Sequence, residues 1–287
     1  MDDARTAEPV LEDASARRGR VELVATRAPD GRTYLSRQYA SYPYHICRPQ
    51  IVEGDPAGMM TLYLQSCAGG MFEHDRLAES VRVDARAAMH LTTQASTIVH
   101  SMTEGTASQT VELSVGSGGC LEYLPDPFIL FPAARFENRI RLLLEPDATA
   151  IVGEAFLSHD PRGGKALYRG YASEVRVERD GELLLLDRMA IEDPSEPVPG
   201  AGERYRAHGS LFILGMPGAE AEILGAVRAA LAGVAGVYAG ASALPRAAGL
   251  SVRILAEDAW ALRQATLAAW SCARLAATGR SPHPRRK

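Results

Sequence analysis

Apolar and polar residues alternate along most of this chain, the spacing of strands that bury one face. In Val81-Arg-Val-Asp-Ala-Arg-Ala87 the alternation puts Val81, Val83, Ala85 and Ala87 on one face and the charges on the other, and Thr110-Val-Glu-Leu-Ser-Val115 repeats the pattern. His208-Gly-Ser-Leu-Phe-Ile-Leu214 and Leu250-Ser-Val-Arg-Ile-Leu255 are also strand-like. Asp30-Gly31, between strand-like segments at 21–24 and 32–36, predicts a first hairpin. Asp180-Gly181 predicts a second between 174–179 and 182–187, because Asp-Gly supplies the positive φ that a two-residue turn demands. The return strand of that hairpin carries Leu183-Leu-Leu-Leu186, apolar on both faces, which is expected of a strand covered on both sides.

Helical spacing comes late. Residues 219–231 follow Pro217-Gly218 and place Ile223, Val227 and Ala230 on one side. Residues 258–277 place Leu262, Ala265, Ala269, Cys272 and Ala276 on a stripe opposite Arg263, Gln264, Ser271 and Arg274, and stop near Gly279 and Pro282. The Pro- and Gly-rich stretch 193–202 does not divide the chain, because strand-like sequence resumes at His208. The expected fold is mostly β: a single domain over 19–278 of stacked or coiled strands, β-helix-like, with two α-helices toward the carboxy terminus. A mobile tail at 1–18 and a basic tail at 279–287 are expected to flank it.

Composition narrows the function classes. Over 287 residues, 46% are apolar and 23% charged, which supports a folded core. The net charge is −4 and the basic residues are scattered along the sequence, so no nucleic-acid partner is expected. Cys47, Cys67, Cys120 and Cys272 form no C-x-x-C pair and follow no secretory leader, which suits reduced thiols in a cytoplasmic protein. No apolar run reaches about eighteen residues, so no membrane span is expected.

The familiar catalytic patterns are missing. His45, His74, His90, His100 and His159 form no H-E-x-x-H, and His45-Ile-Cys47 offers two ligands on one strand face without closing a site. Arg162-Gly-Gly-Lys165 lacks both the spaced glycine and the Ser or Thr of a phosphate loop. Gly116-Ser-Gly-Gly119 leads into a strand, which excludes a dinucleotide turn and points to a hairpin connection. No G-x-S-x-G elbow is present. Glu122 and Asp126 could work as paired carboxylates in a β-helical lyase or glycosidase, but aromatics to stack on sugars are only 6% of residues. A carbohydrate-active enzyme is therefore the alternative reading.

Two segments decide between the readings: Leu91-Thr-Thr-Gln-Ala-Ser-Thr-Ile-Val-His100 and Leu121-Glu-Tyr-Leu-Pro-Asp-Pro-Phe-Ile-Leu-Phe-Pro-Ala-Ala-Arg135. Together they resemble the UreD (UreH) family of urease accessory proteins. Cys67-Ala-Gly-Gly-Met-Phe-Glu-His-Asp-Arg-Leu77 is similar to the family's glycine-rich turn, with Glu73-His74 where the family usually has Gly-Gly. Leu185-Leu-Asp-Arg188 and residues 249–270 are similar to its later strands and last helix.

The resemblance implies a scaffold and nickel conduit, not an enzyme. It implies a UreF-type accessory protein as partner, a UreG-type GTPase recruited through it, and docking on apo-urease, with no cofactor bound permanently and Ni(II) in transit. Ni(II) takes nitrogen and oxygen donors, and a conduit must release it, so isolated carboxylates, hydroxyls and amides suit the task better than a closed cage. By resemblance the candidates are Asp75, Thr92, Thr93, Gln94, Glu122, Asp126, Glu154 and Asp187, with Arg135 bracing a carboxylate. Structural roles compete with these: Thr-Thr-Gln would satisfy backbone groups where strands bend, and Asp75 would cap a turn.

Overall fold

Alternation leaves each strand with one apolar face, and the chain buries those faces by winding into a coil. The computed structural model describes residues 16–282, so most of the two expected tails lies outside the described residues. Strand β1 (Arg18–Arg27) turns back as β2 (Thr33–Ala40), and β3 (Tyr44–Ile46) and β4 (Gln50–Ile51) both pair with β5 (Met60–Ser66). Then come β6 (Arg76–Val83), β7 (Ala88–Thr93), β8 (Thr97–Val99), β9 (Ala107–Val115), β10 (Cys120–Tyr123), β11 (Phe128–Leu130), β12 (Arg135–Leu144), β13 (Thr149–Ser158) and β14 (Gly170–Arg179). The chain ends with β15 (Glu182–Glu192), β16 (Ala207–Leu214), α1 (Glu220–Ala232), β17 (Val237–Ala243), β18 (Gly249–Ala256) and α2 (Ala259–Thr278).

Along the coil the chain passes back and forth between two sheets, giving about four turns of a β-solenoid. The first sheet has seven strands in the order β15-β14-β12-β9-β6-β1-β2, with a parallel middle and antiparallel edges. The second is built on β17-β18-β16-β13-β10-β7-β5-β3, and its β5, β7, β10 and β13 run parallel. Between the sheets, Leu23, Val81, Leu113, Leu142 and Val175 meet Leu62, Leu91, Leu121, Val152 and Phe212. Each such side chain contributes roughly 1.5–3 kcal/mol by leaving water. The corners are tight. A Cβ on Gly215, which has φ +77°, would lie 2.0 Å from the Ala148 carbonyl oxygen.

Both helices cover the outer face of the second sheet, where Ile223 and Val227 of α1 and Leu262, Ala265 and Ala269 of α2 pack on Ile151, Ile213, Val252 and Ile254. A Cβ on Gly209 of β16 would lie 2.8 Å from Leu262, so the glycine sets how closely α2 approaches. Asp258 caps α2 by accepting from the Ala261 N–H at 2.8 Å, and Gly279 ends it at φ 70°. No described helix is long and apolar enough to cross a membrane.

Four expectations need correction. β6 ends at Val83 and Ala87 lies beyond a turn, so the Val81–Ala87 alternation is half strand and half corner. Gly116 to Gly119 joins β9 to β10 in different sheets, a coil corner and not a hairpin. β15 carries Leu183 and Leu186 on the outward side of the seven-stranded sheet, where they stay exposed because no described element packs on that face. Arg274, expected on the polar side of α2, is wholly buried. At the start of the described residues β1 begins at Arg18, and Arg17 is ion-paired with Asp75.

Candidate functional site

The two segments singled out in the sequence are neighbouring breaks in the second sheet. β7 pairs with β10 up to Leu91–Tyr123, and pairing resumes between β8 and β11 at Thr97–Phe128. Between them the chain bulges, because Pro125 and Pro127 have no N–H to give a ladder. β13 runs on past the break, paired to β10 through Val152 and to β11 from Phe156, so Gly153, Glu154 and Ala155 face the gap. Thr92 and Thr93 fasten its edges. The Thr92 hydroxyl donates to the Leu124 carbonyl at 2.6 Å, and the Thr93 hydroxyl accepts from the Asp126 N–H at 2.8 Å.

Two cavities adjoin at this gap and share Gln94, Ala95, Ser96, Pro125 and Asp126. One, of about 360 Å³, enters between the sheets and reaches Tyr44, Glu79 and Gln109. The other, of about 470 Å³, runs beneath α2 past His90, Thr92 and Trp260 to Glu154 and Ser210. Thr92, Thr93, Gln94, Asp126 and Glu154, dispersed in sequence, are thereby brought together.

The interior beyond the gap is unexpectedly polar. Glu79 is buried and accepts from the hydroxyls of Tyr44 at 3.2 Å and Tyr123 at 2.9 Å. Glu154 is also buried, accepts from the Ser173 hydroxyl at 3.1 Å, and lies 3.5 Å from the Asn138 amide nitrogen. Gln109, Asn138 and Ser173 are register partners on three adjacent strands, so they form one polar row across the interior. Burial pushes Glu79 and Glu154 up to about 7, against the pull of the hydrogen bonds they accept. Among the described residues no three His, Cys, Asp or Glu side chains cluster as a metal site, His45 and Cys47 included.

Comparison with known proteins fixes the family. The family profile described as UreD urease accessory protein matches residues 17–287. Urease accessory protein UreD 1 of Pseudomonas syringae pv. tomato is 38% identical over 282 residues, covering 97% of each chain. Urease accessory protein UreD 3 of Bradyrhizobium sp. (strain ORS 278) is 36% identical over 96% of this chain and 99% of its own. A UreD from Haloarcula marismortui is 34% identical over 90% of this chain and 86% of its own. The chain belongs to the UreD family of urease accessory proteins.

Not every residue suggested by the likeness to UreD lines the gap. Asp75 is buried and tied into the fold: it accepts from the Phe72 N–H at 2.7 Å and from the Arg17 backbone and guanidinium. Asp187 pairs with Arg253, which also donates to Ser210. Arg135 does brace a carboxylate, that of Glu192 on the surface. The Glu73-His74 departure from the UreD turn has a local explanation. The Glu73 carboxylate caps three successive backbone N–H groups, those of Thr103, Glu104 and Gly105, which hold it below the usual carboxylate range. His74 takes φ 67°, the left-handed conformation for which glycine is suited.

Glu122 is likewise engaged elsewhere. Both its oxygens accept from the Arg274 guanidinium, one at 2.7 Å, and the His90 ring nitrogen Nδ1 lies 2.8 Å from Oε2. Arg274 also reaches Asp55 and stacks over Trp270, which in turn stacks on His90. All these groups are buried, and Glu122 lines neither cavity.

Sequence reading missed Glu79, although its signal was present. Carrying the alternation of Val81 and Val83 back one step puts Glu79 on the apolar face, where a charge is out of place. Replacing Asp75 by Ala is expected to lower stability by about 2 kcal/mol, because it strands the Phe72 N–H and the Arg17 guanidinium. Urea unfolding measures this. An unchanged midpoint would show that Asp75 does not hold the fold.

Proposed function

We propose that this chain is a scaffold and nickel conduit in urease maturation in the cytoplasm. It works with a UreF-type accessory protein and, through it, a UreG-type GTPase to deliver Ni(II) to apo-urease. The observation that supports the reading is the gap in the second sheet, where two adjoining cavities bring Thr92, Thr93, Gln94 and Asp126 together with buried Glu79 and Glu154. Their donors are hydroxyl, amide and carboxylate oxygens, which Ni(II) accepts but does not bind as tightly as a thiolate and imidazole cage.

Spacing favours transfer over storage. Glu79 and Glu154 reach different cavities, so each offers one carboxylate and neither completes a coordination shell alone. Beside Glu154, the side-chain oxygen of Asn138 is buried without a hydrogen-bond partner among the described residues, an acceptor able to turn toward a passing cation. A dication arriving at a protonated carboxyl displaces its proton, and reprotonation helps release it.

Cells lacking this chain are expected to make urease polypeptide in normal amount but with little nickel. Metal analysis of the purified urease tests this. A full complement of nickel and full activity without the chain would overturn the proposal.

A further inference from the structure

We infer that the outer face of the seven-stranded sheet docks an acidic protein surface, and, resting on the maturation reading, that this surface belongs to apo-urease. α1 and α2 cover the other sheet, whereas among the described residues no element covers this one. Strand register assembles on it a charged row, Arg20-Ala78-Thr110-Arg139-Glu174-Arg188, taken one residue from each of six strands. Arg37, Arg76, Arg82, Arg141 and Arg176 extend the same face. Arginines outnumber carboxylates there, although the whole chain carries −4. In the sequence these arginines look scattered, because they fall on alternate positions of strands that only the coil stacks together.

The arginines remain available. Arg139, Arg141 and Arg188 lean on Glu137, Glu178 and Glu174, but their side chains are 58%, 48% and 64% exposed, so the pairs are screened and weak. Each guanidinium has five N–H donors, and such a pair occupies one or two. Arg76 has no carboxylate partner among the described residues.

The face suits a protein partner in composition and size. Tyr39, Leu143 and Leu186 stand exposed among the arginines, and arginine with aromatic anchors is the composition of an interface core. Seven strands at about 4.8 Å spacing, each about nine residues long at about 3.3 Å, cover roughly 850 Å², close to the ~800 Å² one partner contributes to a stable complex. Interspersed carboxylates such as Glu112 and Glu174 would repel a phosphate backbone or an anionic bilayer, whereas a protein surface of mixed charge can answer both signs.

The test uses the full chain with its accessory partner and purified apo-urease, titrated in a binding assay at two salt concentrations. The variant Arg76→Glu/Arg139→Glu/Arg188→Glu is expected to bind at least 100-fold more weakly than wild type while melting within a few degrees of it, since all three positions are exposed. A control, Lys165→Glu/Arg204→Glu, lies off this face and is expected to bind as wild type does. Equal binding by the triple variant would overturn the inference and leave the maturation reading intact. No binding of apo-urease by wild type would defeat the maturation reading and the inference with it. Binding of wild type to phosphatidylserine vesicles or duplex DNA as tightly as to apo-urease, lost in the triple variant, would mark a general polyanion surface and also overturn it.

Discussion

Arg274→Met is expected to remove about 3–5 kcal/mol of folding stability, the cost of leaving buried carboxylates without their counter-charge. Arg274 reaches both Glu122 and Asp55, and all three side chains are almost wholly inaccessible. Methionine keeps much of the volume against Trp270, so the loss reports charge and not packing. The companion measurement is the triple change Arg274→Met/Glu122→Gln/Asp55→Asn, which removes the stranded charges and is expected to recover more than half the loss. Urea unfolding followed by near-ultraviolet dichroism reads both. A cost below about 1 kcal/mol for Arg274→Met would mean that the network does not anchor α2.

The second large effect sets stability against function. Glu79 and Glu154 keep their protons up to about pH 7 in the folded protein, whereas an unfolded glutamate loses its proton near 4.5. Between those values the native state binds more protons than the unfolded state, so stability falls as pH rises through this window. The stabilisation associated with the protonated native groups is complete below about 4.5 and gone above about 7. By then each site has cost roughly 3 kcal/mol. Glu79→Gln/Glu154→Gln removes the ionisable groups, so the double variant should gain stability at pH 8 and little at pH 4. Urease matured by it should hold less than a tenth of the normal nickel. Higher stability together with fully loaded urease would show that the two carboxyls lie off the metal's route.

Local pattern made some of this architecture legible. The Asp-Gly pairs marked both hairpins, and Pro217-Gly218 and Gly279 bracketed two helices placed to within a residue or two. Thr92 and Thr93 also do what short hydroxyl side chains at a bend are expected to do, holding backbone groups that the sheet no longer pairs. Coil neighbours were not legible. Whether Leu186 is covered depends on whether another element packs on the outward face of the seven-stranded sheet, which no local spacing encodes. Arg274 shows the same limit: helical periodicity ranked it polar and outward, yet its partners lie 152 and 219 residues away in the chain.

Those separations bear on how the molecule is made. A ribosome delivers the segments bearing Asp55 and Glu122 long before the last helix emerges, at about 5–20 residues per second. Until then the growing chain holds two acids on a surface destined to become dry, and that layer cannot close. Closure therefore waits for α2, so a chain cut just before Arg274 would be unable to seal its own helical layer.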